Sequence, residues 1–493
     1  MANVNKTGKD KQQDGGHRSR SSRENMAAMS VGVVDVPSED AKRVLAYEEG
    51  HFLDLKAIDV APGKLTRAMS AFANADGGEL YIGIAEDAAR TRQWRGFSAQ
   101  EDANGFLQAF EEFFPLSRDF SYEFLQVPGS PGYVLHVYIN KTRDIRLASD
   151  GKAYVRRGAQ SLPVTNAEGL EILRRAKGIT SFETQTVAVP IEFVTNSETI
   201  IEFLLGVVPT GEPDKWLRKQ LLILDERPTV ACLLLFADEP QVALPKRSAI
   251  KVYRYKTMER VGSRETLAFD PITIEGCIYN QIRDAVAKTV SLIQGVRVLG
   301  PEGLQEINYP LETLHEIITN AVIHRDYGIA DDVHVRIFDN RVEVESPGRL
   351  PAHITVANIL DERFARNGAI VRLINKFPDP PNKDVGEGLN TAFAAMKRLQ
   401  LKDPEIKQLE NSVLVNIKHE RLASPEELIL EYLETHEEIN NRTVRDLTGI
   451  GSENKVKVIF QRLMAASQIE RVPGKGGGSA AYRKCADSES DNE

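Results

Sequence analysis

The chain has 493 residues, of which 42% are hydrophobic and 27% are charged, and its formal net charge is −9. This length allows three or four domains, and the composition is that of a globular protein that can bury a sizeable core. The negative charge excludes a surface that is basic throughout, so contacts with nucleic acid would have to come from local clusters of lysine and arginine.

The cysteines and the N-terminal segment favour a cytoplasmic protein. Cys232, Cys277 and Cys485 lie far apart and form no CxxC pair, which excludes a disulfide framework and gives no zinc-binding spacing. Residues 1–30 are polar, lack the apolar segment of a signal peptide and predict a disordered arm. No run of about 18 apolar residues occurs, so the sequence predicts no membrane contact.

The pattern of residues 45–175 predicts an α+β domain. Apolar and polar residues alternate in several short segments, as in half-buried strands. These predicted strands cover residues 51–56, 79–84, 132–140 and 153–157. Residues 65–74 place their apolar side chains on one helical face, and Gly77 and Gly78 end this predicted helix.

Acidic side chains and a lysine are expected to converge in this domain. Glu49, Asp54 and Lys56 form the pattern E-x₄-D-x-K, in which strand alternation puts Asp54 and Lys56 on one face, and Glu86 ends the neighbouring strand. Metal-dependent phosphodiester cleavage needs such acids, because they hold a divalent ion that generates hydroxide and offsets the charge on phosphate. The pattern by itself is more often an acidic strand edge with a solvated lysine.

The same domain resembles the Schlafen AlbA-like family. The matching stretches are residues 49–56, 71–78, 82–86 and 154–158, together with Glu171. The most specific of them is the Phe-Ala-Asn-x-x-Gly-Gly run at 72–78. The resemblance implies nucleic-acid binding and, in the nuclease members of the family, RNA cleavage through three acids. Those acids correspond to Glu49, Asp54 and Glu86, with Lys56 as a helper and Mg²⁺ or Mn²⁺ as the metal.

Two of the three acids depart from the family pattern. Asp54 stands where the family has Glu, and Glu86 stands where it has Asp. A difference of one methylene displaces a bound metal by about 1 Å, which favours a domain that binds nucleic acid without cleaving it. The candidates for phosphate contacts are Arg67, Lys152, Arg156 and Arg157.

Residues 180–310 predict a mixed connector domain that contributes packing and no chemistry. The run at 230–236 is continuously apolar, which predicts a strand buried on both faces. Together with the segment 250–254 it resembles the connector that joins the two modules in the same family.

A helix predicted near residue 320 carries the pattern of a nucleotide site. Glu316, Asn320 and His324 are spaced four apart, so they share one helical face. Mg²⁺ prefers oxygen ligands, which the amide of Asn320 supplies, and a carboxylate one turn earlier can direct a water at a γ-phosphate. Such a pair by itself belongs far more often to an ordinary solvated helix face.

The residues that follow this helix add to the pattern. A predicted strand pair covers residues 333–338 and 341–345. It leads into the turn Ser346-Pro347-Gly348, and Gly386 and Gly388 precede a further helix. Glycines before a helix let backbone N–H groups approach phosphate, and the helix dipole favours its charge.

Residues 311–420 resemble the divergent Bergerat-fold ATPase module, an α/β sandwich found C-terminal to Schlafen-like domains in bacterial and archaeal proteins. The resemblance implies Glu316 as the catalytic carboxylate and Asn320 as the Mg²⁺ ligand. The other implied ATP-binding residues are His324, Ser346, Pro347, Gly348, Arg366, Asn367, Gly386 and Gly388, with the Pro-Gly pair beside the adenine and the glycine pair at the phosphates. Ser346 stands where mainstream Bergerat ATPases carry an Asp for the adenine amine. Because serine accepts that hydrogen bond only weakly, the substitution bears on affinity and base selectivity. The resemblance implies ATP binding and leaves slow hydrolysis open, and it does not imply fast turnover.

Two other nucleotide enzymes are excluded by their motifs. The tripeptide at 324–326 imitates a kinase catalytic loop, but Asp331 stands where that loop has an Asn, and the other kinase motifs are absent. The chain has no G-x-x-x-x-G-K-[ST] motif, which excludes a P-loop motor.

Residues 424–484 predict a winged helix-turn-helix domain. The predicted helices cover 425–434, 441–447 and 452–467, and the predicted strands cover 469–472 and 480–484 around a glycine-rich turn at 473–478. The third helix would enter the DNA major groove with Asn454, Lys455 and Lys457, and the wing would contact phosphates through Lys475, Arg483 and Lys484. A winged domain that contacts protein or dimerises is the alternative. An acidic tail follows at 485–493.

The sequence as a whole predicts an α+β multidomain protein that acts as a cytoplasmic, ATP-binding and nucleic-acid-binding regulator in transcription or in defence against foreign nucleic acid. A homodimer on DNA or RNA is expected, in which ATP changes the domain packing because it binds two arrangements with different affinity. Two enzymatic alternatives stay open: an ATP-gated, metal-dependent ribonuclease that uses Glu49, Asp54 and Glu86, and an ATPase motor that depends on Glu316.

Overall fold

A computed structural model describes most of the chain. The described residues are 32–87, 89–115, 119–244, 247–294, 296–300, 303–306, 309–381, 388–399, 401–419, 425–448, 450–475 and 480–485. Within these ranges no helix combines the length and the apolar character that a membrane crossing requires. The predicted arm at 1–30, Gly386, the glycines at 476–478 and the tail at 486–493 lie outside the described residues.

The N-terminal region is built on a five-stranded sheet. The strands of the whole N-terminal region are β1 (Val33–Asp35), β2 (Leu53–Lys56), β3 (Gly78–Ile82), β4 (Ile84–Glu86), β5 (Arg92–Trp94), β6 (Phe120–Gln126), β7 (Tyr133–Ile139), β8 (Tyr154–Arg157) and β9 (Gln160–Pro163). Its helices are α1 (Ser38–Ala46), α2 (Pro62–Asn74), α3 (Asn104–Phe113) and α4 (Ala167–Ala176). The sheet order is β1-β6-β7-β3-β2, and β4–β5 and β8–β9 form separate two-stranded ribbons.

Helices α2 and α3 cover one face of this sheet. Met69 and Phe72 of α2 and Phe106 and Phe110 of α3 are buried against β3 and β7 in one hydrophobic cluster. Pro62 begins α2, and Gly77, with a φ of 79°, follows its end in a left-handed turn that glycine adopts without strain. Helix α1 packs on the opposite face.

The central region is built on a six-stranded sheet with the order β13-β12-β16-β17-β19-β18. The strands of the whole central region are β10 (Ile223–Leu224), β11 (Arg227–Pro228), β12 (Ile250–Arg254), β13 (Ile272–Ile274), β14 (Arg297–Gly300), β15 (Gly303–Glu306), β16 (Val333–Ile337), β17 (Arg341–Pro347), β18 (Glu405–Gln408) and β19 (Ser412–Lys418). The pairs β10–β11 and β14–β15 form separate two-stranded ribbons. Its helices are α5 (Glu192–Thr195), α6 (Glu198–Val207), α7 (Pro213–Lys219), α8 (Val230–Phe236), α9 (Pro240–Ala243), α10 (Ile278–Ile293), α11 (Leu311–Ile323), α12 (Gly368–Ile374) and α13 (Gly388–Arg398).

One hydrophobic core runs across the boundary expected at residue 310. Strand β12, from the predicted connector, lies parallel to β16 with Val252 opposite Val335. A single cluster of buried residues extends from Val194 to Ile417. The connector therefore supplies an interior strand and much of the core to the sheet that holds the predicted nucleotide site.

The apolar run at 230–236 corrects one prediction, because it forms helix α8 and not a strand. All seven residues are buried, and the Thr229 hydroxyl accepts a hydrogen bond from the Cys232 N–H at 3.2 Å, which caps the helix. A helix surrounded by protein on every side has the same continuous apolar pattern as a doubly buried strand. Hydrophobicity alone therefore could not separate the two.

The C-terminal region contains the predicted helices and strands in the predicted order and adds one short strand that the sequence did not predict. It contains α14 (Pro425–Thr435), β20 (Ile439–Asn440), α15 (Asn441–Thr448), α16 (Glu453–Ala465), β21 (Ile469–Arg471) and β22 (Ala481–Lys484). The strands form a sheet with the order β20-β22-β21. Ile429, Val444 and Phe460 are buried in its core, and the Phe460 ring stacks on Tyr482 with 3.9 Å between ring centroids.

Candidate functional site

Glu316 and Asn320 lie together on the partly exposed face of helix α11. The opposite face is packed into the core through Leu314, Ile317 and Ile318, which fixes the direction of the polar side chains. The Asn320 amide donates to Glu316 Oε1 at 2.7 Å. Burial raises the pKa of Glu316, and this hydrogen bond offsets part of the rise. The pair therefore presents a carboxylate and an amide at one point of the helix.

The first residue of helix α13 lies directly against this pair. A Cβ atom placed on Gly388 would overlap Glu316 Oε1, so a larger residue there would displace the Glu316 carboxylate. The two helices are joined beside it, where the Thr313 hydroxyl donates to the Ala392 carbonyl at 2.9 Å. The acid, the amide and the second glycine of the sequence pattern thus meet in one place.

The Pro-Gly turn is attached to the C-terminal end of α11. The Ser346 hydroxyl donates to the carbonyl of Ala321, the residue after Asn320, at 2.6 Å. The Pro347 carbonyl accepts from the N–H of Asp326 at 2.8 Å. Gly348 has a φ of 107°, which glycine tolerates and other residues do not. The turn is therefore next to the Glu316–Asn320 pair, as the nucleotide hypothesis requires.

Asp326 is a carboxylate beside this turn that sequence reasoning did not select. A Cβ atom on Gly348 would come within 2.7 Å of the Asp326 side chain. Asp326 accepts from the Gly328 N–H at 2.9 Å and faces the Arg366 guanidinium at 3.1 Å. In the sequence, Asp326 is distinguished only as the last residue of the kinase-like tripeptide at 324–326. An acid thus lies close to Ser346, although not within the turn itself.

Arg366 and Asn367 have internal partners and not the free positions expected of ligand-binding residues. The Arg366 side chain is 4% exposed, pairs with Asp326 and donates to the Arg349 carbonyl. The Asn367 amide donates to the carbonyls of Ile323 at 2.9 Å and Arg325 at 2.8 Å. Both residues therefore hold the loop after the Pro-Gly turn against the end of α11, and their contact with a nucleotide stays a prediction.

His324 lies partly buried at the end of the same helix. It follows the last residue of α11, and burial, with the nearby Arg366 charge, lowers its pKa to about 4. Among the described residues its Nδ1 atom has no hydrogen-bond partner. Burial therefore favours the neutral form of this imidazole, and its contact with a nucleotide stays a prediction.

The predicted acids of the N-terminal region meet only in part. Lys56 Nζ donates to Asp54 Oδ1 at 2.5 Å and to Glu49 Oε1 at 3.4 Å. Burial raises the pKa of Asp54, and its hydrogen bond with Glu49 adds to the rise. The Leu55 N–H also donates to Glu49 at 3.0 Å. The two acids and the lysine therefore form one compact cluster.

Glu86 does not join that cluster as a third metal ligand. Gly83, with a φ of 125°, separates β4 from β3, so Glu86 lies on the β4–β5 ribbon and pairs with Arg92 at 3.4 Å. In the part of the chain that the structure describes, no three His, Cys, Asp or Glu side chains are grouped as metal ligands would be. The predicted metal set of Glu49, Asp54 and Glu86 is therefore not assembled.

The Phe-Ala-Asn-x-x-Gly-Gly run has a structural role. The buried Asn74 amide donates to the carbonyls of Arg146 at 2.8 Å and Tyr154 at 2.9 Å, and its oxygen accepts from the Arg146 N–H at 2.8 Å. A Cβ atom on Gly78 would overlap the Phe72 ring. The motif therefore joins α2, the segment before β8 and strand β3.

The four arginines and lysines proposed for phosphate contact fall into two groups. Arg156 is buried: it donates to the carbonyls of Gly50 at 3.0 Å and Leu53 at 3.1 Å and pairs with Asp54 at 3.4 Å. This corrects its assignment, because its donors are used inside the protein. The exposed members are Arg67, which pairs with Asp150, and Lys152 and Arg157.

The C-terminal candidates lie on the surface. Asn454, Lys455 and Lys457 are exposed at the start of α16. The wing residues form ion pairs with neighbouring acids: Lys475 with Glu438 at 2.5 Å and Arg483 with Glu470 at 2.6 Å, whereas Lys484 is exposed. Helix α16 therefore offers the clearest exposed positive surface of this region.

Two parts of the chain match known families. Residues 49–165 match the family described as Schlafen, AlbA_2, and residues 330–417 match the model HATPase_c_4, described as "Putative ATP-dependent DNA helicase recG C-terminal". The chain thus combines a Schlafen AlbA region with an ATPase-like region, the architecture that its sequence predicts. The second match begins after α11, so the assignment of Glu316 and Asn320 depends on their geometry.

Comparison with solved structures gives a similarity to the DIP2311 protein from Corynebacterium diphtheriae. The two chains are 18% identical, the similarity covers 90% of this chain and 96% of that one, and the TM-score is 0.39. A comparison with curated proteins found no match.

Proposed function

We propose that the protein is a cytoplasmic regulator that binds ATP and nucleic acid and acts in transcription or in defence against foreign nucleic acid. One observation carries the ATP part: the Glu316 carboxylate, the Asn320 amide and the backbone of Gly388 converge beside the Pro-Gly turn. The helices that carry these residues share a core with the sheet whose later strands match an ATPase-like family. The nucleic-acid part is supported by the Schlafen AlbA match.

The residues at this point fit a nucleotide with Mg²⁺. The carboxylate of Glu316 and the amide oxygen of Asn320 are ligands that Mg²⁺ accepts, and the N-terminal end of α13 favours phosphate. Bound Mg²⁺ would supply positive charge between the phosphates and the carboxylate. Since Glu316 lies against the first residue of α13, its charge opposes any phosphate that approaches without the metal. We therefore expect ATP binding to depend strongly on Mg²⁺.

Calorimetric titration with ATP, with and without Mg²⁺, tests the proposal. Asn320→Ala should weaken binding at least tenfold in the presence of Mg²⁺, because a metal ligand is lost. Glu316→Gln should strengthen binding without Mg²⁺, because the repulsion is removed. The matched control is Glu312→Gln, since Glu312 lies one turn earlier on the same helix and is exposed. No binding by the wild type at millimolar ATP, or equal effects at positions 312 and 316, would contradict the proposal.

For the C-terminal region we propose a winged-helix contact with DNA through α16, in a homodimer whose two copies suit a palindromic site. Its support is the exposure of Asn454, Lys455 and Lys457 on one helix. Replacing both lysines with alanine should lower DNA affinity and reduce the slope of affinity against salt by about 2, because each lysine releases about one counterion. Lys288→Ala, an exposed position on α10, is the control. Unchanged slopes in both variants would exclude this helix.

A second candidate function is metal-dependent RNA cleavage, favoured by the meeting of Glu49, Asp54 and Lys56. The separate position of Glu86 favours binding without cleavage. Incubation of the protein with tRNA and Mn²⁺ distinguishes the two functions. Cleavage that is lost in Glu49→Ala would support the enzyme, and retained gel shift without cleavage would support binding alone.

A further inference from the structure

A buried ionic cluster joins the N-terminal region to the central region. At its centre is Asp76, which lies between Asn74 and the glycine pair of the 72–78 motif. Its carboxylate accepts from His51 Nε2 at 2.7 Å, from Gln408 Nε2 at 2.8 Å and from the Arg349 guanidinium, and it faces Lys141 Nζ at 3.7 Å. We name these five residues the Asp76 cluster. Arg349 and Gln408 come from the central region, and the other three from the N-terminal region.

The charges in this cluster are held by their neighbours. The pKa of Asp76 lies well below its usual range: burial would raise it, but the His51 hydrogen bond and the charges of Arg349 and Lys141 outweigh that effect. Burial lowers the pKa of Lys141 to about 8. Asp76 is therefore an anion that is 8% exposed, and removal of Arg349 would leave it underneutralised in the protein interior.

Further contacts fix the same interface. Lys141 Nζ donates to the carbonyls of Leu350 at 2.7 Å and Ile354 at 3.1 Å, in the loop after the Pro-Gly turn. Along the same loop, the Phe364 ring lies against Gly178 and beneath the Arg143 guanidinium, 5.5 Å from its centroid. The loop from 349 to 366 therefore packs on the N-terminal region.

Arg349 follows Gly348 directly, which places the cluster one residue from the proposed nucleotide site. On the central side, the Pro-Gly turn is attached to α11 through Ser346 and the Ala321 carbonyl. On the N-terminal side, Asn74 lies two residues before Asp76 and binds the Tyr154 carbonyl in β8, the strand that carries the exposed Arg157. A short series of direct contacts thus connects Asn320 with the basic strand of the Schlafen AlbA region.

We propose that Asp76 is a positioning residue which, through Arg349, makes nucleotide binding at Glu316 and Asn320 change the nucleic-acid affinity of the N-terminal region. This inference rests on the proposed function. A nucleotide that displaces the Pro-Gly turn moves Arg349 relative to Asp76, and the buried Asp76 carboxylate then loses part of its charge compensation, which is energetically unfavourable. The coupling is reciprocal, so nucleic acid must change ATP affinity by the same factor.

The test measures the dissociation constant of a fluorescent single-stranded RNA, with and without Mg²⁺ and a non-hydrolysable ATP analogue. For the full-length wild type, the dissociation constant of the RNA should change at least fivefold when the nucleotide is added. The ratio of the dissociation constants with and without nucleotide is the measure of coupling. Asp76→Asn and Arg349→Gln should each bring this ratio close to one, while calorimetry still detects nucleotide binding. The double variant should show the same ratio as the single variants, because both remove one interaction.

Two further variants serve as a control and as a milder change at Asp76. Asp339→Asn removes a partly buried ion pair with Arg254 that lies within the central region, and it should leave the ratio unchanged. Gln408→Met removes one hydrogen bond from Asp76 and retains the ion pair, so it should bring the ratio part of the way towards one. This variant still tests the proposal if Asp76→Asn and Arg349→Gln fail to fold.

The outcomes separate the two proposals. If the wild type binds no nucleotide, the proposed function fails, and the coupling fails with it. If nucleotide and RNA both bind but the ratio is one, or if Asp76→Asn retains the wild-type ratio, the proposed function stands and the role of Asp76 is wrong.

Discussion

At the scale of single residues, Arg156 and Arg157 show how the backbone separates two identical side chains. Successive residues of a strand point to opposite faces, so one arginine of β8 enters the protein and the other faces solvent. Inside, Arg156 lies over the Phe72 ring at 4.7 Å and donates to two carbonyls. The Arg157 side chain is exposed at the surface, where it can contact a ligand.

Substitution of these two arginines should therefore have different effects. Arg156→Ala should lower the free energy of unfolding by about 3–5 kcal/mol, since it removes the buried guanidinium that pairs with Asp54 and donates to the carbonyls of Gly50 and Leu53. Arg157→Ala should change it by less than about 0.5 kcal/mol and weaken RNA binding. Urea unfolding and RNA titration of both variants measure the two effects. Equal losses of stability would contradict the burial of Arg156.

His324 makes acid stability a measurable property of the site. Its pKa is lowered from 6.5 to about 4 in the folded protein, chiefly by burial. Between these values the unfolded chain binds a proton and the folded chain does not, so the free energy of unfolding falls as the pH falls from 6.5 to 4. The expected loss is about 3 kcal/mol. Urea unfolding across this interval should show a smaller loss for His324→Gln, and equal losses in both proteins would exclude the proposed titration.

At the scale of elements, two helices begin at caps of different origin. Helix α8 is capped by the residue that precedes it, Thr229, which is a signal present in the local sequence. Helix α12 is capped by Glu183, whose oxygens accept from the N–H groups of Ala369 and Ile370 at 2.9 Å each. That acid is separated from the helix by 186 residues, so no local pattern predicts it.

The cap of α8 gives a direct prediction. Thr229→Ala should lower the free energy of unfolding by about 1–2 kcal/mol, because the Cys232 N–H loses its partner. Thr229→Ser keeps the hydroxyl and should recover most of this loss. Thermal and urea unfolding of the two variants provide the measurement. If serine is as destabilising as alanine, the effect comes from the packing of the threonine methyl group and not from the cap.

At the scale of the whole molecule, the N-terminal and central regions are in direct contact, and one core crosses the boundary expected at residue 310. The core of the central region is continuous from Val194 to Ile417, and the Asp76 cluster attaches the N-terminal region to it. Two contacts of the cluster, Arg349–Asp76 and Gln408–Asp76, join residues more than 200 positions apart.

A truncated chain tests this continuity. The fragment 311–420 lacks β12 and α8 and would expose the buried side chains that pack on them, so we expect no cooperative thermal transition. The fragment 180–420 retains those elements and should unfold cooperatively. Circular dichroism during heating distinguishes the two. A cooperative transition of the shorter fragment would show that the sheet is stable without β12.

The sequence by itself determined the elements whose signals are local. Helical periodicity predicted α2 and α11, strand alternation predicted β16 and β17, and the bounds of the C-terminal elements were predicted to within a few residues. The spacing of Glu316 and Asn320, together with the family resemblance that selected Gly388, also predicted residues that the fold brings together. These signals act within one element, or between elements in a family-specific order.

Only the tertiary structure decided which side chains are buried and which partners they have. It made the apolar run at 230–236 a helix, buried Arg156, separated Glu86 from Glu49, and paired Asp76 with Arg349. The physical reason is that burial and ion pairing depend on atoms contributed by distant parts of the chain. Periodicity and propensity describe only the neighbours of a residue along the sequence.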